Sequence, residues 1–125
     1  MGLLKTDASE PAEAAGMPSG PLVALTTVGS GEEAERIARA LVGQRLAACV
    51  NVVPRVVSLY RWKGAVEREE EWLLVMKTSE RKLEALRQAL VSLHPYELPE
   101  LVALPVSAGH APYLAWLAES VEDQG

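Results

Sequence analysis

Residues 46–77 constrain this chain more than any other stretch: LAACVNVVPRVVSLYRWKG, followed by AVEREEEWLLVMK. Val, Leu, Tyr and Trp dominate both runs, and Lys63-Gly64 between them supplies the positive-φ position that a tight hairpin turn needs. The stretch reads as two antiparallel strands. The first run alone extends roughly 50 Å at about 3.3 Å per residue, whereas a domain of this length has a diameter of roughly 35 Å. The ribbon is too long for its own domain. Its far end carries Leu59, Tyr60 and Trp62, apolar surface that should not stand bare in water, so other copies of the chain are expected to cover it. Pro54 interrupts the first strand, and a proline inside a strand signals an edge or a bulge. The distal half is expected to kink away from the core sheet there.

The flanking segments supply the rest of a domain. Residues 22–28 (LVALTTV) read as a short buried strand after Pro21. Ser30 then opens a helix with Glu33 as its capping-box partner, and Ala34, Ile37, Ala38, Leu41 and Val42 form one apolar face, with Gly43 as the stop. After the ribbon, a second helix starts near Ser79 and carries Leu83, Leu86, Leu90 and Leu93 until Pro95 ends it near His94. Residues 98–106 (LPELVALPV) read as a strand bounded by prolines. Pro112 then suits the first turn of a short helix bearing Leu114, Leu117 and Val121.

The order β-α-β, β-α-β plus a C-terminal helix predicts an α+β, ferredoxin-like sandwich with one antiparallel sheet. Two helices cover one sheet face. Nothing in the chain is left to cover the other, a second reason to expect self-association.

A chain of 125 residues is one domain's worth. Residues 1–20 read as a disordered leader rich in Ala, Gly, Pro and Glu, residues 21–121 as the folded domain, and residues 122–125 as a tail. Met1-Gly2 with Thr6 matches the short myristoylation pattern, and Met17 is an alternative start. Acids outnumber bases 17 to 12, for a formal charge of −5, and no basic stripe is present, so nucleic acid is not an expected partner. No apolar run reaches the ~18 residues of a membrane helix, so no membrane partner is expected either. The single cysteine, Cys49, cannot form an intramolecular disulfide, which points to a reducing compartment and a cytoplasmic location.

Five blocks in order, AACVNVVP, SLYRWKG, EWLLVMKT, HPYELPE and the closing YLAWL, resemble the CutA proteins, a family linked to divalent-cation tolerance. The resemblance covers residues 22–121. It implies a ferredoxin-like homotrimer whose long hairpins cross between subunits, and binding of copper or other divalent metal in some members. It also implies an architectural likeness to the PII signalling trimers, which bind small ligands between subunits. In bacterial members with a copper site, the ligands are a cysteine in the first strand and a His-His pair before Pro-Tyr. Those positions here hold Thr26 and Leu93-His94. Only His94 remains as a metal ligand, so Cu(II) or another divalent cation would be held weakly.

Each candidate residue also has a plain structural reading. His94 sits where a helix-terminal histidine meets the last carbonyls. Cys49 reads as a small buried thiol. Glu67, Glu69 and Glu71 fall on one face of a strand; the row could attract hard cations or simply keep a protruding strand from wrong pairing. Tyr60, Trp62 and Trp72 are expected to pack between subunits. Lys77, at the end of the apolar run WLLVM, needs a partner; with Tyr96 and Glu100 it is the candidate lining of an intersubunit cleft, or forms an ion pair with Glu100. No phosphate-cradling Gly-rich loop, HExxH, CxxC or triad-like pattern is present, and His110 stands apart from His94. The expectation is a non-enzymatic, metal-binding homotrimer, with a PII-like small-ligand sensor or a scaffold for a partner protein as the competing readings.

Overall fold

The computed structural model describes residues 11–13 and 20–123. Its centre is a four-stranded antiparallel sheet in the order β3-β4-β2-β5, built from β2 (Pro21–Val28), β3 (Cys49–Trp62), β4 (Ala65–Ser79) and β5 (Val102–Pro105). Two short strands, β1 (Pro11–Glu13) and β6 (Ala108–His110), pair separately. Part of the leader is thus a strand; residues 1–10 and 14–19 of the expected leader and the last two tail residues lie outside the described residues. Three helices complete the described residues: α1 (Gly31–Gly43), α2 (Leu83–Leu93, entered through a single 3-10 turn, Glu80–Lys82) and α3 (Ala111–Ser120).

One face of the sheet makes the core. β2 alternates strictly, with Leu22, Ala24, Thr26 and Val28 buried and their neighbours partly exposed. Ala24, Val28, Leu74 and Met76 pack against Ala34, Ile37 and Leu41 of α1 and Leu86 and Leu90 of α2. Alternation follows from the two-residue period of a strand, and the helix contacts from the i, i+3, i+4 spacing. Ser30 caps α1 as expected, its hydroxyl accepting from the Glu33 N–H at 3.1 Å. The Glu33 carboxylate, however, accepts from Arg36 at 2.6 Å, and that guanidinium also donates to the Leu93 carbonyl at 3.0 Å, tying α1 to the end of α2.

Three local expectations are corrected. Gly43 is the last helical residue, and the left-handed position that stops α1 is Arg45, at φ 61°. There the N–H of Leu46 bonds the carbonyl of Leu41 and the N–H of Arg45 that of Val42, a Schellman ending. Val42 points outward, at 42% exposure. The last strand of the sheet is β5, four residues within the expected nine. Pro99 has no N–H for the ladder, and the segment before it is tied down by His94 and Tyr96, so the chain joins the sheet only at Val102, opposite Leu25.

The ribbon is as long as the sequence requires. β4 pairs with β2 only from Trp72 onward, so its first seven residues, with the facing part of β3, overhang the sheet by roughly 23 Å. Lys63 (φ 50°) and Gly64 (φ 85°) are both left-handed, the conformation of a two-residue type I′ turn. Between Val53 and Val56 the register shifts by one residue, and Arg55 takes φ 63°. This is the bulge expected at Pro54.

Candidate functional site

The most elaborate polar cluster lies where β2 stops and the ribbon continues. Glu71 sits one residue past the last β2–β4 pair and is 94% buried, its relative exposure being 6%. Its carboxylate accepts from the Tyr96 hydroxyl at 2.7 Å. Burial first, and then that carboxylate, push the Tyr96 phenol well above its ordinary range, with Glu69 and Tyr60 adding to the effect. Tyr60 is raised in the same direction, by desolvation and by the row Glu69, Glu71 and Glu67. The tyrosines stay protonated, and Tyr96 serves as a donor. A Cβ at Gly29 would meet the Tyr96 hydroxyl at 3.4 Å, an ordinary van der Waals contact.

His94 joins this cluster as a structural residue. It is buried, Nε2 lies 2.8 Å from the Thr27 carbonyl oxygen, and Nδ1 accepts from the Tyr96 N–H at 3.2 Å. A carbonyl can only accept, so Nε2 carries the proton, and the one lone pair of the neutral ring is already engaged. The expected metal-ligand role of His94 does not fit this geometry. Thr26, at the expected cysteine position, is fully buried, and among the described residues its hydroxyl has no hydrogen-bond partner. Among the described residues no group of three or more His, Cys, Asp or Glu converges as a metal ion requires. Copper or zinc ligation within one protomer is therefore not supported by these side chains.

The open face of the sheet carries the other candidate residues. Val23, Leu25, Leu73, Val75 and Val53 alternate onto it, with Val102 and Leu104 at 47% and 53% exposure. Lys77 stands at one end of this apolar face, directly opposite Cys49 and Val23, and its ammonium donates to Asn51 Oδ1 at 2.5 Å. Six residues of β4, roughly 20 Å, separate it from Glu71 and hence from Tyr96. Within a protomer Lys77, Tyr96 and Glu100 do not meet, and the Lys77–Glu100 ion pair does not form there. Exposed Glu100 lies in the segment before β5. The grooves beside α3, lined by Ser79, Lys82 and Asp123 on one side and by Val42, Arg45 and Ser120 on the other, include none of the three.

The aromatic residues divide. Tyr60 is 41% exposed and Trp62 partly exposed on the overhanging ribbon. Trp72 was expected between subunits, but it shares the helix face with Leu74 and Met76 and packs on the protomer's own core. Its indole nitrogen would stand 3.2 Å from a Cβ at Gly31, so that glycine admits the ring to the start of α1. Sequence reasoning placed Tyr96 and Glu71 in separate candidate groups. Nothing local signals a contact between residues 25 apart.

The comparisons with known proteins fall on the same residues. The family model described as CutA1 divalent ion tolerance protein matches residues 22–120. The chain belongs to this family. The divalent-cation tolerance protein CutA of Thermus thermophilus is 50% identical over 98 residues, 78% of this chain and 95% of that protein. Its solved structure superposes with a TM-score of 0.80 over 82% of this chain and 99% of the other. Protein CutA of Mus musculus is 42% identical over 123 residues, 94% of this chain and 70% of its own length. The CutA structure from Synechococcus elongatus, 41% identical, gives a TM-score of 0.83 over 94% of this chain and 100% of its own. The α+β architecture with its antiparallel sheet and three helices is thus that of CutA proteins.

Proposed function

We propose that the chain acts without catalysis, as a homotrimer of ferredoxin-like protomers, in tolerance of divalent cations, and that it does so in the cytoplasm. The family match over residues 22–120 carries this reading. Two physical features support the assembly: a ribbon overhanging its own sheet, with Leu59 68% exposed, and an open sheet face lined by seven apolar side chains. A monomer would leave both in water. The free Cys49 supports the reducing compartment.

Cation contact in this reading is weak and made by exposed carboxylates, because His94 and Thr26 offer no open ligand set. Expression in a metal-sensitive host lacking its own relative tests the function directly. Growth should extend to higher concentrations of at least one of copper, zinc, cobalt or cadmium, and unchanged sensitivity to all four would overturn it. Calorimetric titration of untagged protein with Cu(II) should show no tight site, with the same weak heats in His94→Ala. The PII-like reading draws no support from the comparisons, whose family description names divalent ion tolerance.

A further inference from the structure

The open sheet face is charged unequally at its two ends. Alternation along β4 places Lys77, Val75, Leu73, Glu71, Glu69 and Glu67 on one side of the strand, and the bulge in β3 keeps Tyr60, Ser58 and Val56 on that side too. One end therefore presents a single ammonium, and the other, roughly 26 Å away at Glu69, presents carboxylates. The middle is apolar. Glu71 is already bonded to Tyr96, which leaves Glu67 and Glu69 as the outward acceptors. Lys77 has three donors, and the protomer supplies Asn51 as the acceptor for one.

We propose that a second copy of this chain covers the face head to tail, with Lys77 of one protomer meeting Glu69 and Glu67 of the partner subunit. The inference rests on the homotrimer reading and adds to it the contact that fixes how the copies are oriented. Covering the apolar middle takes Lys77 out of water as well, and an ammonium held there by one amide would be costly. A second copy brings complementary carboxylates to that end at the same time as it covers Val75 and Leu73. In a ring closed by 120° rotations each face meets one neighbour at its Lys77 end and the other neighbour at its carboxylate end, so the same contact repeats three times. Charges at the ends and apolar residues between them fix orientation more than they add affinity.

The test follows self-association of the full chain by native mass spectrometry and dilution sedimentation in four forms: wild type, Lys77→Met, Lys77→Glu and Lys77→Glu combined with Glu67→Lys and Glu69→Lys. Wild type should be a trimer that weakens with salt. A wild type that is monomeric or dimeric overturns the trimer reading itself, separately from the charge contact. Lys77→Met keeps the apolar stem and removes the charge, so its sign is decisive. Loss of affinity by about tenfold or more, with loss of salt dependence, supports paired carboxylates on the partner. Unchanged or tighter association would show an ammonium without them and overturn the proposal. Lys77→Glu should dissociate further still, and the combined variant should recover most of the loss. A combined variant no better than Lys77→Glu alone overturns the assignment to Glu67 and Glu69.

Discussion

The two faces of one sheet are built from the same strands and behave as different materials. On the helix side Ile37, Leu41, Leu74, Met76, Leu86 and Leu90 are completely buried, and their packing is finished within a protomer. On the open side Val102 and Leu104 are about half exposed; on the overhanging ribbon, Leu59 and Val66 lie on the other side, in line with Trp72 and Leu74 but beyond the helices, and are 68% and 66% exposed. Both surfaces are rich in apolar residues, so hydropathy alone does not separate them. Alternation does, because one residue of offset decides which helix or which neighbour a side chain meets. The first face stabilises the fold of the chain; the second awaits a partner.

Four substitutions break or sharpen this contrast. The largest effect belongs to the closed face. Leu90→Ala should destabilise by ~2–5 kcal/mol in denaturant unfolding, the range for a cavity among fully buried side chains. Tyr96→Phe comes next, at ~1–3 kcal/mol, because the buried Glu71 carboxylate loses its donor. It carries a pH signature as well. The folded-state pKa of Tyr96 is raised above its unfolded value near 10, so the folded state holds the proton more tightly. The associated stability is complete below pH ~10 and declines as pH rises beyond it. Unfolding measured from pH 8 upward should show this decline in wild type and a flatter profile in Tyr96→Phe.

Thr26→Val should act in the opposite direction, stabilising by ~1 kcal/mol, since it replaces a buried hydroxyl lacking a partner with a methyl of similar shape. Thermal melting checks the sign, and a lower melting temperature would show that the hydroxyl has a use in the assembled protein. The smallest effect on the protomer is expected from Leu59→Ser. Its stability as a monomer, measured at high dilution, should change by less than ~0.5 kcal/mol. Association measured by sedimentation should weaken. If Leu59→Ser left association untouched, the side of the ribbon that continues the helix face would not be a partner surface.

How much of this could be read from the sequence depended on distance along the chain. The Ser30 cap, the Lys63-Gly64 turn, the proline bulge and the apolar helix faces are local signals, and each stands where the chain's own chemistry put it. Such features involve residues two to four apart, where backbone sterics and hydrogen-bond reach decide the outcome. Arg45 in the left-handed position is local too, yet Gly43 beside it looked the better candidate, because propensity alone misses that Leu46 must turn inward to bury. The polar cluster was out of reach. His94 meets a carbonyl 67 residues away and Tyr96 a carboxylate 25 residues away, and no spacing rule connects them. The metal assignment to His94 came with the family resemblance, and only tertiary structure shows that both its nitrogens are taken.

The extra residue at Arg55 separates two properties of the ribbon. Val53 and Val56 face the same way because β3 takes three steps where β4 takes two. A chain one residue shorter there would keep Val56 opposite Glu71 and show an unchanged set of side chains on each side. What it would lose is the local bend and added twist of a bulged strand. The turn governs which residues the ribbon displays, and the bulge governs where it points, so the reach toward a neighbour can drift in evolution without rewriting the surface delivered to it.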